Sequence, residues 1–227
     1  MSRAGERFLL ILLLAVGGGV VGGALASRVG FHAHTVPGIL HFSRGVAAAI
    51  LLVALFDLYW SAAAKNSAPA QSSESRSSRG LHLAVLNGGV LLLILPVPGL
   101  THRFLPASPL LTPLGLAVEM AGIAFAIWSR RHLGFNWSGE VRLASGHQLV
   151  RSGPYAHIRH PIYTGVLLMY LGVMLVSGEI HALIAVAVIV LAYLRKIGLE
   201  DKLLAENFGS DWDAWRRASW ALLPPIY

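Results

Sequence analysis

The residues best equipped for chemistry are concentrated in residues 128–163 and again at Glu200 and Asp201. The first stretch brings Arg130, Arg131, His132, Asn136, Trp137, His147, Gln148, Tyr155, Arg159, His160 and Tyr163 together with several glycines. Groups of these types can hold charged ligands, stack on flat ones and move protons. Thiol chemistry is excluded: there is no cysteine, hence no disulfide, no thiolate nucleophile and no Cys-ligated zinc or iron–sulfur site. Gly153 and Pro154 call for a turn, and Pro161 favours a helix start with His160 in the extended residue before it. The first turn of that helix aims unpaired N–H groups and a positive dipole end outward, ready for a carboxylate or other anion.

What positions this stretch is a set of apolar helices. Of 227 residues 55% are hydrophobic and 13% charged, and the mean hydropathy is +0.63, which points to the bilayer as solvent. Six apolar runs approach the roughly 20 residues needed to cross a hydrocarbon core: residues 8–26, 46–64, 81–100, 110–128, 162–178 and 180–197. The last two are separated by a tight turn at Gly178 and are expected to form an antiparallel hairpin. The expected fold is therefore all-α, a polytopic bundle of about six transmembrane helices with no Rossmann sheet. With both termini on the cytoplasmic side, 15 of the 18 Lys and Arg residues fall inside, leaving only Arg28, Arg44 and Arg103 outside. The net charge of +7 is thus assigned to membrane orientation rather than to nucleic acid, since no basic patch is interleaved with aromatics. A competing reading takes the first run as a signal peptide cleaved near Ala24-Leu25-Ala26. Residues 66–80 read as a Ser-rich polar loop dividing two accessory helices (residues 1–80) from a core (residues 81–227).

Three other signals carry less. Gly17, Gly19 and Gly22 have the spacing of a dinucleotide fingerprint but no strand before them, so close helix packing is the better reading. His32, His34 and His41 lack acidic or thiolate companions, and no metal site is expected. Asp57 and Glu119 fall within apolar runs, where a carboxylate needs a reason. One reading ties helices together, Glu119 with Asn87 or His82; the other lines a transport path.

Taken in order, the pieces resemble a known superfamily of membrane methyltransferases, the isoprenylcysteine carboxyl methyltransferases and phospholipid N-methyltransferases. The resemblance rests on Arg159, His160, Pro161, Tyr163 and Gly165, an apolar hairpin up to Leu194, and Glu200 with Asp201. It extends to residues 133–138, to residues 147–155, and to Phe208-Gly209 followed by Trp212 and Trp215, a motif region of 128–225. The resemblance implies S-adenosylmethionine as cofactor, in a pocket at the cytoplasmic ends of the last helices. Carried over, His147, Gln148, Leu149, Val150, Tyr155, His160, Pro161, Ile162, Tyr163 and Glu200 would line that cofactor. Arg159, Lys196 and Glu200 would act in catalysis, with Lys196, Asn136 and Trp137 toward the substrate. Lys196 stands where the isoprenylcysteine enzymes carry a substrate-facing arginine, and Asp201 where a second glutamate is usual.

These residue types suit the ligand. Its sulfonium and ammonium groups want Glu200 and the faces of Tyr155 and Tyr163; its carboxylate wants Arg159, His160 or helix N-terminal N–H groups. The acceptor is expected to be lipophilic and to arrive from the bilayer, the carboxylate of a prenylated cysteine being the first choice. A phospholipid amine or a small thiol is the alternative, with His160 or His147 as base. The reading from another class is a transporter or structural subunit, which the missing internal repeat disfavours.

Overall fold

In a computed structural model the protein is described over residues 43–64, 74–137, 141 and 149–224. These hold six α-helices: α1 (Arg44–Ala64), α2 (Arg76–Ile94), α3 (Leu111–Leu133), α4 (Pro161–Ser177), α5 (Ile180–Phe208) and α6 (Ser210–Ala218). Two isolated bridges are the only extended pairings among the described residues. The molecule is thus an all-helical membrane bundle, and α1, α2, α3 and α5 are each long and apolar enough to cross. The first apolar run, the histidines at 32, 34 and 41 and the N-terminal glycines lie outside the described residues, as do His147 and Gln148.

Element boundaries follow local chemistry. Ser75 caps α2, its hydroxyl accepting from the Ser78 N–H at 3.2 Å, so the end of the expected polar loop is already helix. That helix stops before Pro96, short of the expected residue 100, because residues preceding proline avoid helical backbone. Pro161 occupies the first turn of α4, where its missing N–H costs nothing. Gly178 closes α4 with φ of +66°, its N–H bonding the Met174 carbonyl at 2.7 Å, and α5 starts two residues later.

One helix keeps its expected short length and another exceeds it. α4 has 17 residues, which at 1.5 Å per residue reach about 25 Å, short of a core of roughly 30 Å. It is the most enclosed helix, packed by α1, α3 and α5, so its apolarity reflects burial among helices as much as lipid. α5 runs 29 residues, eleven beyond the expected end at 197, carrying Lys196, Glu200 and Asp201 on one continuous rod. Charge did not end the helix because Leu, Glu, Lys and Ala sustain it after the apolar run stops.

The tightest contact is the α3–α4 seam. A Cβ added at Gly115, Gly122, Gly165 or Gly172 would come within 2.5–2.7 Å of backbone on the opposite helix. Where lipid is as apolar as leucine, such close approach replaces the hydrophobic effect as the source of helix association. Glu119 lies in this seam, facing Gly172 and fully buried, with neither carboxyl oxygen hydrogen-bonded among the described residues. The expected partners are elsewhere. Asn87 donates to the Leu83 carbonyl of its own helix at 2.7 Å, and the His82 ring meets Tyr193 edge-on at 5.9 Å. Both sit on α2, which packs on α5. Asp57 is exposed on α1, so the two carboxylates do not share a surface.

Candidate functional site

The site forms where α4 begins and α5 leaves the apolar layer. His160 precedes Pro161 and is 6% exposed. Its Nε2 donates to Asp201 Oδ1 at 2.7 Å, and its Nδ1 lies 3.4 Å from Glu200 Oε2. Tyr163, three residues on, donates its hydroxyl to Glu200 Oε1. The His160 and Tyr163 rings stack with centres 5.6 Å apart and planes 5° from parallel. Lys196 places its ammonium 5.4 Å from the Tyr163 ring centre, and Tyr193 tilts against the same ring at 5.0 Å. Lys196, Glu200 and Tyr193 fall on adjacent faces because they are spaced by three to four residues on one helix.

Electrostatics lock this cluster. Burial alone would lower the His160 pKa, but hydrogen bonds to Asp201 and Glu200 and their negative charge outweigh it, and the pKa is raised above its ordinary value. The two carboxylates thus favour the protonated ring more than burial alone would allow.

A second group adjoins. Tyr155, in the short 3-10 turn Gly153–Ala156, packs with Trp212, Trp215, Leu149 and Val150. Its carbonyl accepts from the Trp215 indole at 3.2 Å, and its hydroxyl is buried with no partner among the described residues. Burial, reinforced by the Glu200 charge, raises its pKa. An orphaned buried hydroxyl is a place where a ligand's polar group fits.

The remaining expected residues divide. Pro161 and Ile162 are buried in the first turn of α4, with Ile162 in the main apolar core. Arg159 is held at the end of α6: its Nη1 donates to the carbonyls of Arg216 (3.1 Å) and Ser219, and its side chain lies over Trp212. Asn136 ends the 3-10 turn Gly134–Asn136, and the buried Trp137 meets Trp60 and Arg130 instead of the His160 cluster.

One part was not foreseen. Residues 219–222 return alongside residues 157–160. The Trp220 N–H bonds the His157 carbonyl at 2.9 Å, and the N–H groups of Arg159 and His160 bond the carbonyls of Trp220 and Ala221 at 2.7 and 3.0 Å. Ala221 and Leu222 are buried against Ile197, Leu194 and Tyr163. This strap fixes the backbone of the His160 motif. Its signal in the sequence is faint, an Ala-Leu-Leu run before Pro224.

Part of the site falls in a segment that resembles a known family. No curated protein matches this chain. Residues 111–211, just under half of the chain, match the family model for phospholipid methyltransferase. The match begins at the first residue of α3 and ends at the start of α6, taking in His160, Tyr163, Lys196, Glu200 and Asp201. Over that segment the chain is similar to phospholipid methyltransferases, which are membrane methyltransferases.

Proposed function

We propose that this protein transfers a methyl group from S-adenosylmethionine to a lipophilic acceptor drawn from the bilayer, at a site on the cytoplasmic face. The observation that carries the reading is the convergence of His160, Tyr163, Lys196, Glu200 and Asp201 at the mouth of the bundle. When bound, the cofactor would supply an electrophilic methyl on a sulfonium centre. The chain's contribution is binding and alignment. Glu200 and the faces of Tyr163 and Tyr155 would hold the cationic part; the orphaned Tyr155 hydroxyl and the first-turn N–H groups of α4 would hold polar oxygens and nitrogens. Leu149, Val150, Pro161 and Ile162 would wall the pocket, with His147 and Gln148 completing it. Alignment and exclusion of water can supply several kcal/mol without a strong base.

The state of His160 supports a particular acceptor. With both ring nitrogens committed to carboxylates, it is poorly placed to take a proton from a nucleophile. A carboxylate of the prenylcysteine type arrives already ionised and needs no base, and Lys196 would steer it. Arg159, bound to the carbonyls that end α6, would act by holding the motif. The phospholipid amine is kept as a second reading because the matched family bears that name. Calorimetric titration with S-adenosylmethionine and S-adenosylhomocysteine tests the core of the proposal. Saturable binding that Glu200→Gln weakens at least about tenfold is expected from loss of a charged hydrogen-bonding partner. A well-folded protein in nanodiscs that binds neither would end it.

A further inference from the structure

The inference rests on the reading of a lipid-borne acceptor and adds a contact point outside the His160 cluster. Arg130, in the last turn of α3, is only 9% exposed. Its guanidinium carbon lies 3.7 Å from the centre of the Trp137 ring and 4.9 Å from that of Trp60. The two indoles meet edge to face, 5.4 Å apart at 89°, so the cation occupies the corner between perpendicular rings. Phe56 backs Trp60 at 5.2 Å.

The aromatic faces attract the cation but do not satisfy its in-plane donors. Among the described residues Arg130 has no carboxylate within ion-pairing distance, and its buried Nε has no hydrogen-bond partner. A buried cation to which the described residues bring no counter-charge is costly, and an oxyanion taking the guanidinium fork in bidentate fashion relieves that cost. The stack is also well placed. Ala126 faces Gly165 across the antiparallel seam, so Arg130, one turn further along α3, is level with the start of α4 and with His160. Trp60 belongs to α1, outside residues 111–211, so the corner is closed by a helix that the family match does not include.

We propose that Arg130, Trp60 and Trp137 form an oxyanion site for the carboxylate or phosphate of a lipid-borne molecule, holding it beside the methyl-transfer cluster. It gives α1 a part in binding rather than anchoring alone.

The test is calorimetric titration of the full chain in detergent with four probes. These are N-acetyl-S-farnesylcysteine, its methyl ester, dihexanoyl phosphatidic acid and sodium phosphate, applied to wild type, Arg130→Met, Arg130→Lys and the exposed control Arg131→Gln. At least one of the two lipid acids should bind, with Arg130→Met weakening it about tenfold or more. Arg130→Lys should recover part of the loss, Arg131→Gln should match wild type, and the uncharged ester should bind no better to wild type than to Arg130→Met. Whichever acid binds more tightly identifies the anion. The proposal is overturned if Arg130→Met binds both acids as wild type does, or if inorganic phosphate binds as tightly as the lipids. Should Arg130→Met fail to fold, Trp60→Leu keeps the charge and removes one wall; a severalfold loss supports the site, and unchanged affinity overturns it. S-adenosylmethionine titrated in parallel separates the two readings. Cofactor binding without Arg130 dependence of the lipid acids sinks this inference alone, whereas no cofactor binding in wild type sinks the methyltransferase reading.

Discussion

Tyr163 touches Glu200 through its hydroxyl while its ring centre lies 5.4 Å from the ammonium of Lys196, so one side chain meets a carboxylate and a cation at once. The two contacts are separable by mutation. Tyr163→Phe keeps the ring for Lys196 and removes the hydrogen bond to the carboxylate, an interaction of about 1.5–3 kcal/mol when one partner is charged. Titration should therefore show cofactor affinity weakened about tenfold, with Tyr163→Leu weaker still because the ring is gone as well.

Stability should depend on pH through His160. Its folded pKa is raised above the unfolded value, so its contribution is complete below about pH 6.5 and is lost as pH rises through the folded value. Thermal unfolding midpoints in detergent should thus fall on the alkaline side of that window. His160→Gln should flatten the dependence. An unchanged slope in the variant would assign it to other groups.

The α3–α4 seam should not tolerate a methyl group. In Gly172→Ala the new Cβ would stand 2.5 Å from the Glu119 N and the Gly115 carbonyl, which backbone cannot yield cheaply. A loss of about 1–3 kcal/mol is expected, read from a denaturation midpoint in mixed micelles. Gly88→Ala on α2 is the counterpart, with nothing within 4 Å of its added carbon. There the gain in helix propensity, about 0.5–1 kcal/mol, should raise the midpoint.

Glu119 offers the opposite sign. Its carboxyl is sealed in the seam without a hydrogen bond among the described residues. Removing a buried unsatisfied polar group returns about 1–3 kcal/mol if the replacement keeps its volume. Glu119→Met is expected to hold or raise the unfolding midpoint and to leave cofactor affinity unchanged. A large loss of either would mean that the carboxyl does something that neither geometry nor the proposed reaction accounts for.

The pieces of the site that were legible in the sequence are those whose chemistry is local. Pro161 announced the start of α4, Gly178 its end, and the spacing of Lys196, Glu200 and Asp201 placed them together once helix was assumed. What the sequence did not disclose depends on long-range partners. Arg159 looks like a ligand-binding cation, yet its guanidinium is spent on carbonyls of residues 216 and 219, which no local pattern connects to it. Trp137 draws its neighbours from a tryptophan 77 positions earlier and an arginine seven positions back, a grouping that no local pattern announces. One reading paired Glu119 with residues of α2, whereas it faces Gly172 of α4, since hydropathy gives helices but not their neighbours. The length of α5 escaped for a different reason: the apolar run marks where lipid ends, and a helix is under no obligation to end there.

The strap of residues 219–222 carries a consequence for the order in which the protein is made. The N–H groups of Arg159 and His160 find their carbonyls about sixty residues downstream, in segments synthesised after α4, α5 and α6 have all been completed. The bundle can therefore insert and pack while the His160 backbone is still unsupported. Backbone support for the His160 motif is the last thing to form, and a chain truncated within α6 would keep its apolar helices while lacking the carbonyls that hold Arg159 and His160.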